Sequence, residues 1–169
     1  MPIVNGEYRR PQLRNGKINY RFGWFFVTFQ VFENKSELVA IVGECCVLNA
    51  LGAAVKNLIE TLKMPVISTF TSSQERAILR KLISLGRRFI AVYPGGIPKV
   101  LPDEIKNLVD SGNALLLSPV ESGTGVNKQL AIWCNEYLIT RAQEVWCGYI
   151  KPGGILESIL KGIGGKLHE

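Results

Sequence analysis

Residues 65–96, PVISTFTSSQERAILRKLISLGRRFIAVYPGG, hold two short apolar runs separated by an amphipathic stretch. The runs Pro65–Ser68 and Phe89–Tyr93 are typical of strands buried on both faces of a parallel sheet. Gly86 is well placed to end a helix between them. That helix is indicated by apolar residues at helical spacing, namely Ile78, Leu79, Leu82 and Ile83. The stretch therefore predicts one strand–helix–strand unit with a right-handed crossover.

The same alternation continues on both sides of this unit. Further apolar runs of strand length lie at Leu38–Val42, Ala114–Ser118 and Val145–Tyr149. Further helices are predicted from Leu51, after Pro102, from Leu130 and from Ile155, by apolar spacing and by the proline start. Five short strands alternating with five helices predict an α/β domain with a doubly wound, mainly parallel sheet and a Rossmann-like three-layer α/β/α architecture.

The segments outside this core have a different composition. Residues 1–37 are interpreted as a basic arm followed by an aromatic β segment, Tyr20–Phe32, that packs on the core. Stacking of these aromatic side chains on nucleic-acid bases is the alternative. Residues 38–163 form the predicted Rossmann-like domain, and the glycine-rich residues 164–169 are expected to be a flexible tail.

Charge and composition narrow the function classes. The chain has 169 residues and a net charge of +6, and residues 1–35 carry six of its cations against two acids. This asymmetry favours an anionic partner, although a solubilising surface is the alternative. No stretch reaches the length of a membrane span, and residues 1–13 contain no apolar signal region. We therefore expect a cytoplasmic protein that does not associate with membranes.

Catalytic and metal chemistry find little support in the sequence. The four cysteines form no C-x-x-C pair, and the single histidine is His168. Zinc sites need closely spaced thiolate or imidazole ligands, and nucleophilic triads need a histidine base. No G-x-G-x-x-G or lysine-containing phosphate loop follows a predicted strand. We expect no metal, no cofactor and no enzymatic activity.

Ligands of doubly wound sheets bind outside the carboxyl ends of the strands. The loop after the second predicted strand is rich in hydroxyl groups, and it offers phosphate donors at Ser68, Thr71, Ser72 and Ser73. Capping of the following helix by Ser72 or Ser73 is the favoured alternative. Glycines in the same set of loops allow the backbone to approach a ligand closely, or they merely allow tight turns. The candidate glycines are Gly43, Gly95, Gly96, Gly153 and Gly154.

Basic side chains near these loops are candidates for neutralising phosphates. Arg76 and Arg80 stand four residues apart and therefore lie on one face of the predicted helix. A solvated helix face explains this pair equally well. The candidate cations are Arg76, Arg80, Arg87, Lys99 and Lys128.

Taken in order, several segments resemble the Rossmann-like core of the DNA-processing protein A (DprA, or Smf) family. Residues 40–43 (AIVG) resemble its first strand, and residues 66–68 (VIS) the strand before its glycine-rich phosphate loop. Residues 86–92 (GRRFIAV) resemble the segment that enters its third strand. Asn135 falls in the position of its Arg-Asn-Arg motif, and Gly153-Gly154 in that of a small-residue turn.

The chain departs from the family at the phosphate loop. Residues 68–75 read STFTSSQE where the family has Ser-Gly-x-Ala-x-Gly-Ile-Asp. Cys45, Cys134 and Glu136 stand where the family has arginines. Pro94-Gly95-Gly96 resembles the start of the signature of related nucleotide phosphoribohydrolases, but Ile97-Pro98 interrupts it.

The resemblance implies a bacterial, non-catalytic protein that binds single-stranded DNA and acts in DNA processing and recombination during natural transformation. A recombinase and a second copy of the chain are the further partners that it implies. Two alternatives stay open. One is a small-nucleotide sensor or nucleotide-processing enzyme of the same superfamily, and the other is a degenerate scaffold that oligomerises through residues 20–32.

Overall fold

The computed structural model describes residues 42–50, 52–120 and 125–168. The predicted basic arm, the aromatic segment Tyr20–Phe32 and most of the first predicted strand lie outside the described residues.

A six-stranded parallel sheet forms the centre of the described fold. Its strands lie in the order β4-β3-β2-β1-β5-β6, and every neighbouring pair is parallel. This arrangement confirms the predicted Rossmann-like α/β class. The strands are β1 (Cys46–Leu48), β2 (Val66–Ser68), β3 (Phe89–Val92), β4 (Ala114–Leu117), β5 (Glu144–Trp146) and β6 (Leu167–His168).

Helices cover both faces of this sheet and bury two apolar clusters against it. Side chains alternate along each strand, so that Cys46 and Leu48 pack on one face while Val47 packs on the other. The first face is covered by α1 (Ala53–Thr61), α2 (Ser73–Ser84) and α3 (Asp103–Ser111). The second face packs against α4 (Lys128–Arg141) and α5 (Ile155–Leu160).

The position of the first strand corrects the sequence prediction. The strand that pairs with β2 and β5 is Cys46–Leu48, four residues beyond the predicted run Leu38–Val42. Val42 itself has helical backbone. Both runs are apolar, and hydropathy alone cannot choose between them; the fully buried thiols of Cys45 and Cys46 behave as small apolar side chains. Gly43 therefore precedes β1 and lies at the amino edge of the sheet, away from the expected carboxyl-edge loops.

The end of the chain is also more ordered than expected. Where the sequence predicted a flexible tail over 164–169, the structure has a 3-10 turn at Gly164–Lys166 followed by β6. The backbone N–H of Cys147 donates to the carbonyl of His168 at 2.8 Å, and the His168 and Trp146 rings stack with centroids 4.2 Å apart. Leu167 packs against the buried cluster of the second face, which explains why this segment is held.

The strand order places a topological switch between β1 and β5. From β1 the chain moves outward through β2, β3 and β4, and it then returns to the other side of β1 for β5. The loops that leave β1 and β5 consequently run to opposite faces. A crevice opens between such loops at the carboxyl edge of a doubly wound sheet.

Candidate functional site: the carboxyl edge of the sheet

The switch point is held by contacts between the two loops that diverge there. Asn49 follows β1; its Nδ2 donates to the carbonyl of Tyr149 at 2.5 Å, and its Oδ1 accepts from the N–H of Gly148 at 2.9 Å. The loops approach so closely that a Cβ atom on Gly148 would lie 2.4 Å from the carbonyl oxygen of Ala50. These contacts hold the floor of the crevice in one geometry.

A pocket of about 390 Å³ occupies this crevice. Its polar groups include Glu75 at the start of α2, Asn135 in the middle of α4, and Lys151 in the loop after β5. Ligand pockets commonly have this composition, with apolar walls and a few polar groups. The aliphatic side chains of its walls come from β1, α4 and α5, and they are Val47, Leu48, Ile132, Ile139, Ile155 and Ile159.

The hydroxyl-rich loop after β2 is organised around Glu75. The Glu75 carboxylate accepts hydrogen bonds from the Ser68 hydroxyl at 2.8 Å and from the Thr69 hydroxyl at 3.3 Å. It also accepts from the Ser72 N–H at 2.9 Å, while the Ser72 hydroxyl accepts from the Glu75 N–H at 3.1 Å. This reciprocal pair is a capping box, and it confirms the capping interpretation for Ser72.

The other residues of this loop differ in exposure. Thr71 is exposed, and its hydroxyl lies 3.1 Å from that of Thr69. Ser73 is the exposed first residue of α2. Phe70 has a positive φ of 48°, and its buried ring meets the Phe89 ring edge-on at 5.9 Å. The loop thus turns an aromatic side chain into the core.

The candidate cations fall into two groups. Three of them are exposed near the carboxyl edge. Arg76 lies in the first turn of α2, Lys99 in the β3–α3 loop and Lys128 at the start of α4. Arg80 is exposed one turn further along α2. Arg87 lies before β3, at the opposite edge of the sheet.

Two of these arginines also have structural contacts. The guanidinium of Arg76 donates to the carbonyl of Thr71, which ties the start of α2 to its loop. The guanidinium of Arg87 donates to the carbonyl of Glu60 near the end of α1, while its buried Nε has no hydrogen-bond partner. Arg87 is therefore not brought together with the carboxyl-edge group.

Four of the five candidate glycines lie in carboxyl-edge loops. Gly95 packs against the next loop, because a Cβ atom there would lie 2.4 Å from a side-chain carbon of Val126. Gly96 and Gly153 have positive φ values of 87° and 70°. The N–H of Gly153 donates to the Glu157 carboxylate at 2.8 Å, and Gly154 precedes the first residue of α5.

Asn135 lines the pocket, together with the candidates Ser72 and Gly154. It lies on α4, and its Nδ2 donates to the carbonyl of Ala131 at 3.0 Å. The amide keeps one N–H donor and its oxygen acceptor for other partners.

Sequence reasoning missed a pattern in three loops at this edge. Each loop carries a strongly exposed apolar side chain within two residues of a lysine. The pairs are Val100 with Lys99, Val126 with Lys128, and Tyr149 with Lys151. The sequence signal for this pattern is an apolar residue close to a basic residue in a loop next to a predicted strand.

The buried cysteines offer no reactive thiolate. Burial raises the pKa of the Cys45 thiol to about 12, and the nearby Glu44 adds to the effect. Burial likewise raises the pKa of Cys134 to about 12, and it raises that of Cys46 further. A thiol that remains protonated is a poor nucleophile and a poor metal ligand.

Metal-ligand clusters and membrane-spanning helices are both absent from the described residues. Among residues 42–50, 52–120 and 125–168, no three His, Cys, Asp or Glu side chains gather as metal ligands would. No helix in the same ranges has both the length and the hydropathy that a membrane span requires.

Comparison with known proteins supports the fold. No protein-family model and no curated protein sequence matches the chain. The structure is similar to the X-ray structure of DNA processing protein A (DprA) from Streptococcus pneumoniae, with a TM-score of 0.50 and 16% sequence identity. The similarity covers 73% of this chain and 49% of that one, so the chain spans about half the length of the structure that it matches. The described domain thus has a DprA-like fold.

Proposed function

We propose that this protein binds single-stranded DNA along the carboxyl edge of its sheet, without catalysing a reaction on it. One observation carries the proposal, namely the three loops at this edge that each place an exposed apolar side chain beside a lysine. Val100 is 84% exposed, Val126 is 67% exposed and Tyr149 is 63% exposed. The DprA-like fold is consistent with a role in DNA processing.

The two kinds of side chain match the two parts of a nucleotide. Lysines that neutralise phosphates release counterions and supply affinity that does not depend on sequence. Apolar and aromatic side chains, of which Tyr149 is the best placed, pack against the faces of unstacked bases. Bases are available in this way in a single strand and not in a duplex, and for this reason we favour single-stranded DNA.

The positions of the loops suit an extended strand. From β4 to β5 the edge spans four strand intervals. At about 4.8 Å per interval, the row of loops extends over roughly 19 Å. Arg76 lies between the ends of this row, because α2 follows β2.

The lysines are available for phosphate. In the described part of the chain, the one ion pair joins Lys161 to Glu157 at 4.0 Å, and it involves none of the three loop lysines. The hydroxyls of Ser68 and Ser72 already bond to Glu75, which leaves the cations as the main source of affinity. A partner recombinase, a homodimer and a place in natural transformation remain predictions.

Fluorescence polarisation of a labelled oligo-dT at two salt concentrations tests the proposal. The double variant Lys99→Ala/Lys128→Ala should weaken binding several-fold at low salt. Its salt slope should fall by about 1.4, because each lost phosphate contact on a single strand is worth about 0.7.

The matched control removes the same charge from the opposite edge. Lys63→Ala/Arg88→Ala changes two exposed cations that lie before β2 and before β3. This control should bind as the unmodified protein does. The proposal is wrong if oligo-dT does not bind at low salt, or if both double variants lose affinity equally.

A further inference from the structure

We propose that the switch-point pocket receives one unstacked nucleobase, and that it favours cytosine and adenine, which carry an amino group at pyrimidine C4 or purine C6, over thymine. The inference rests on the proposed single-strand binding and adds a base preference to it. The pocket is continuous with the proposed DNA-binding surface, because Tyr149 and Lys151 line the pocket and also belong to the row of apolar–basic loops.

The walls select a flat, uncharged group. Aliphatic side chains of α4 and α5, among them Ile132, Ile139 and Ile159, line the space of about 390 Å³. Glu75, at the start of α2, also lines the pocket, and its negative charge repels an inserted phosphate. Lys151 can hold the phosphate outside, in the loop after β5. A base inserted between apolar side chains, with its phosphate at the rim, satisfies both conditions.

The polar groups of the wall select the edge of that base. The Asn135 Nδ2 donates one of its two N–H groups to Ala131, so that one N–H donor and the Oδ1 acceptor remain. The Glu75 Oε2 accepts from the Ser72 N–H and has capacity for a second hydrogen bond. Cytosine and adenine carry amino donors at N4 and N6, whereas thymine carries the O4 acceptor at the equivalent place. The Glu75 carboxylate can only accept and therefore favours an amino-bearing base, and the remaining N–H of Asn135 can donate to the ring nitrogen next to that amino group.

The binding test compares three labelled oligonucleotides that differ at one central position: all dT, dT with one dC, and dT with one abasic site. The dC oligonucleotide should bind about tenfold more tightly than all dT, a typical discrimination for a well-placed base contact. The abasic oligonucleotide should bind no better than all dT. All three should have the same salt slope, because their phosphates are the same.

Two variants attribute the preference to the pocket. Asn135→Leu removes the amide from the pocket and should abolish the discrimination between dC and dT. Ile155→Trp adds bulk at the rim, where Ile155 is 49% exposed, and should have the same effect with less risk to folding. Discrimination that persists in both variants would overturn the inference.

The two proposals fail in different ways. Salt-sensitive oligo-dT binding with less than a twofold change on insertion of dC would reject the base pocket and leave the DNA proposal standing. If oligo-dT does not bind, the free nucleotides dCMP and dTMP are compared by thermal shift. A larger rise in Tm with dCMP than with dTMP, absent in Asn135→Leu, would then support the base pocket and reject the binding of single-stranded DNA. No shift with either nucleotide would reject both.

Discussion

At the scale of single residues, Glu75 organises the loop that the sequence offered as a phosphate site. Its carboxylate bonds to two hydroxyls and one backbone N–H, and it caps α2 together with Ser72. The hydroxyls of Ser68 and Thr69 are therefore used within the protein. The loop is held by a carboxylate, whereas the sequence offered its hydroxyl groups as phosphate donors.

Replacement of Glu75 should be costly for this reason. Glu75→Ala leaves the hydroxyl of Ser68, a residue only 2% exposed, without its acceptor and removes half of the capping box. We expect the free energy of unfolding to fall by about 1–3 kcal/mol, measured by urea denaturation. Glu75→Gln should lose less, because its amide oxygen still accepts. Gln74→Ala, an exposed neighbour in the same helical turn, is the control and should be nearly neutral.

At the scale of elements, the packing of two loops decides where the crevice opens. The loops after β1 and β5 touch at Gly148, which leaves no room for a side chain against Ala50 and Gly52. Asn49 adds two hydrogen bonds across the same junction. The pocket therefore depends on backbone contacts between segments that are about a hundred residues apart.

Gly148→Ala tests this junction. Its Cβ atom would lie 2.4 Å from the carbonyl oxygen of Ala50 and 2.5 Å from the backbone nitrogen of Gly52. Because both are backbone atoms, the loops must separate, and we expect a loss of about 1–3 kcal/mol in thermal or urea unfolding. Gly165→Ala, whose Cβ atom would meet nothing within 4 Å, is the matched control. Equal stability of the two variants would contradict the close approach.

At the scale of the whole molecule, stability should depend on alkaline pH through the buried thiols. Cys45 and Cys134 lie in one apolar cluster and Cys46 in the other, so both faces of the sheet contribute. The ordinary thiol pKa of 9.0 is raised by burial in all three residues, to about 12 for Cys45 and Cys134. The folded state keeps protons that the unfolded chain releases above pH 9.

The expected sign follows from this proton difference. The stabilisation is fully present below about pH 9 and is lost as the pH rises toward 12, because the unfolded state then binds fewer protons. Between pH 9 and pH 10 each thiol should reduce the free energy of unfolding by about 1 kcal/mol, measured by urea denaturation. In Cys134→Ala, the decline of the free energy of unfolding with pH should be smaller by the contribution of one thiol. An unchanged slope in this variant would contradict the prediction.

The local patterns predicted most of the elements and few of the contacts at the site. The helix ending before Gly86 and the strands near residues 66 and 89 appear as predicted, because their signals lie within one segment. The position of β1 was missed, since two neighbouring apolar runs had the same appearance. At the site, Arg76, Lys99 and Lys128 reach the carboxyl edge, whereas Arg87 and Gly43 belong to the opposite one.

By itself, the sequence determined the doubly wound parallel class, because strand and helix periodicities are local and their alternation leaves few topologies. Only the tertiary structure decided that β1 lies beside β5, and hence that Asn49 meets Tyr149 across a separation of 100 residues. It also decided that Glu75 and Asn135 share one pocket. Such contacts depend on strand order and register, which arise from the packing of the whole sheet and leave no periodic trace in any one segment.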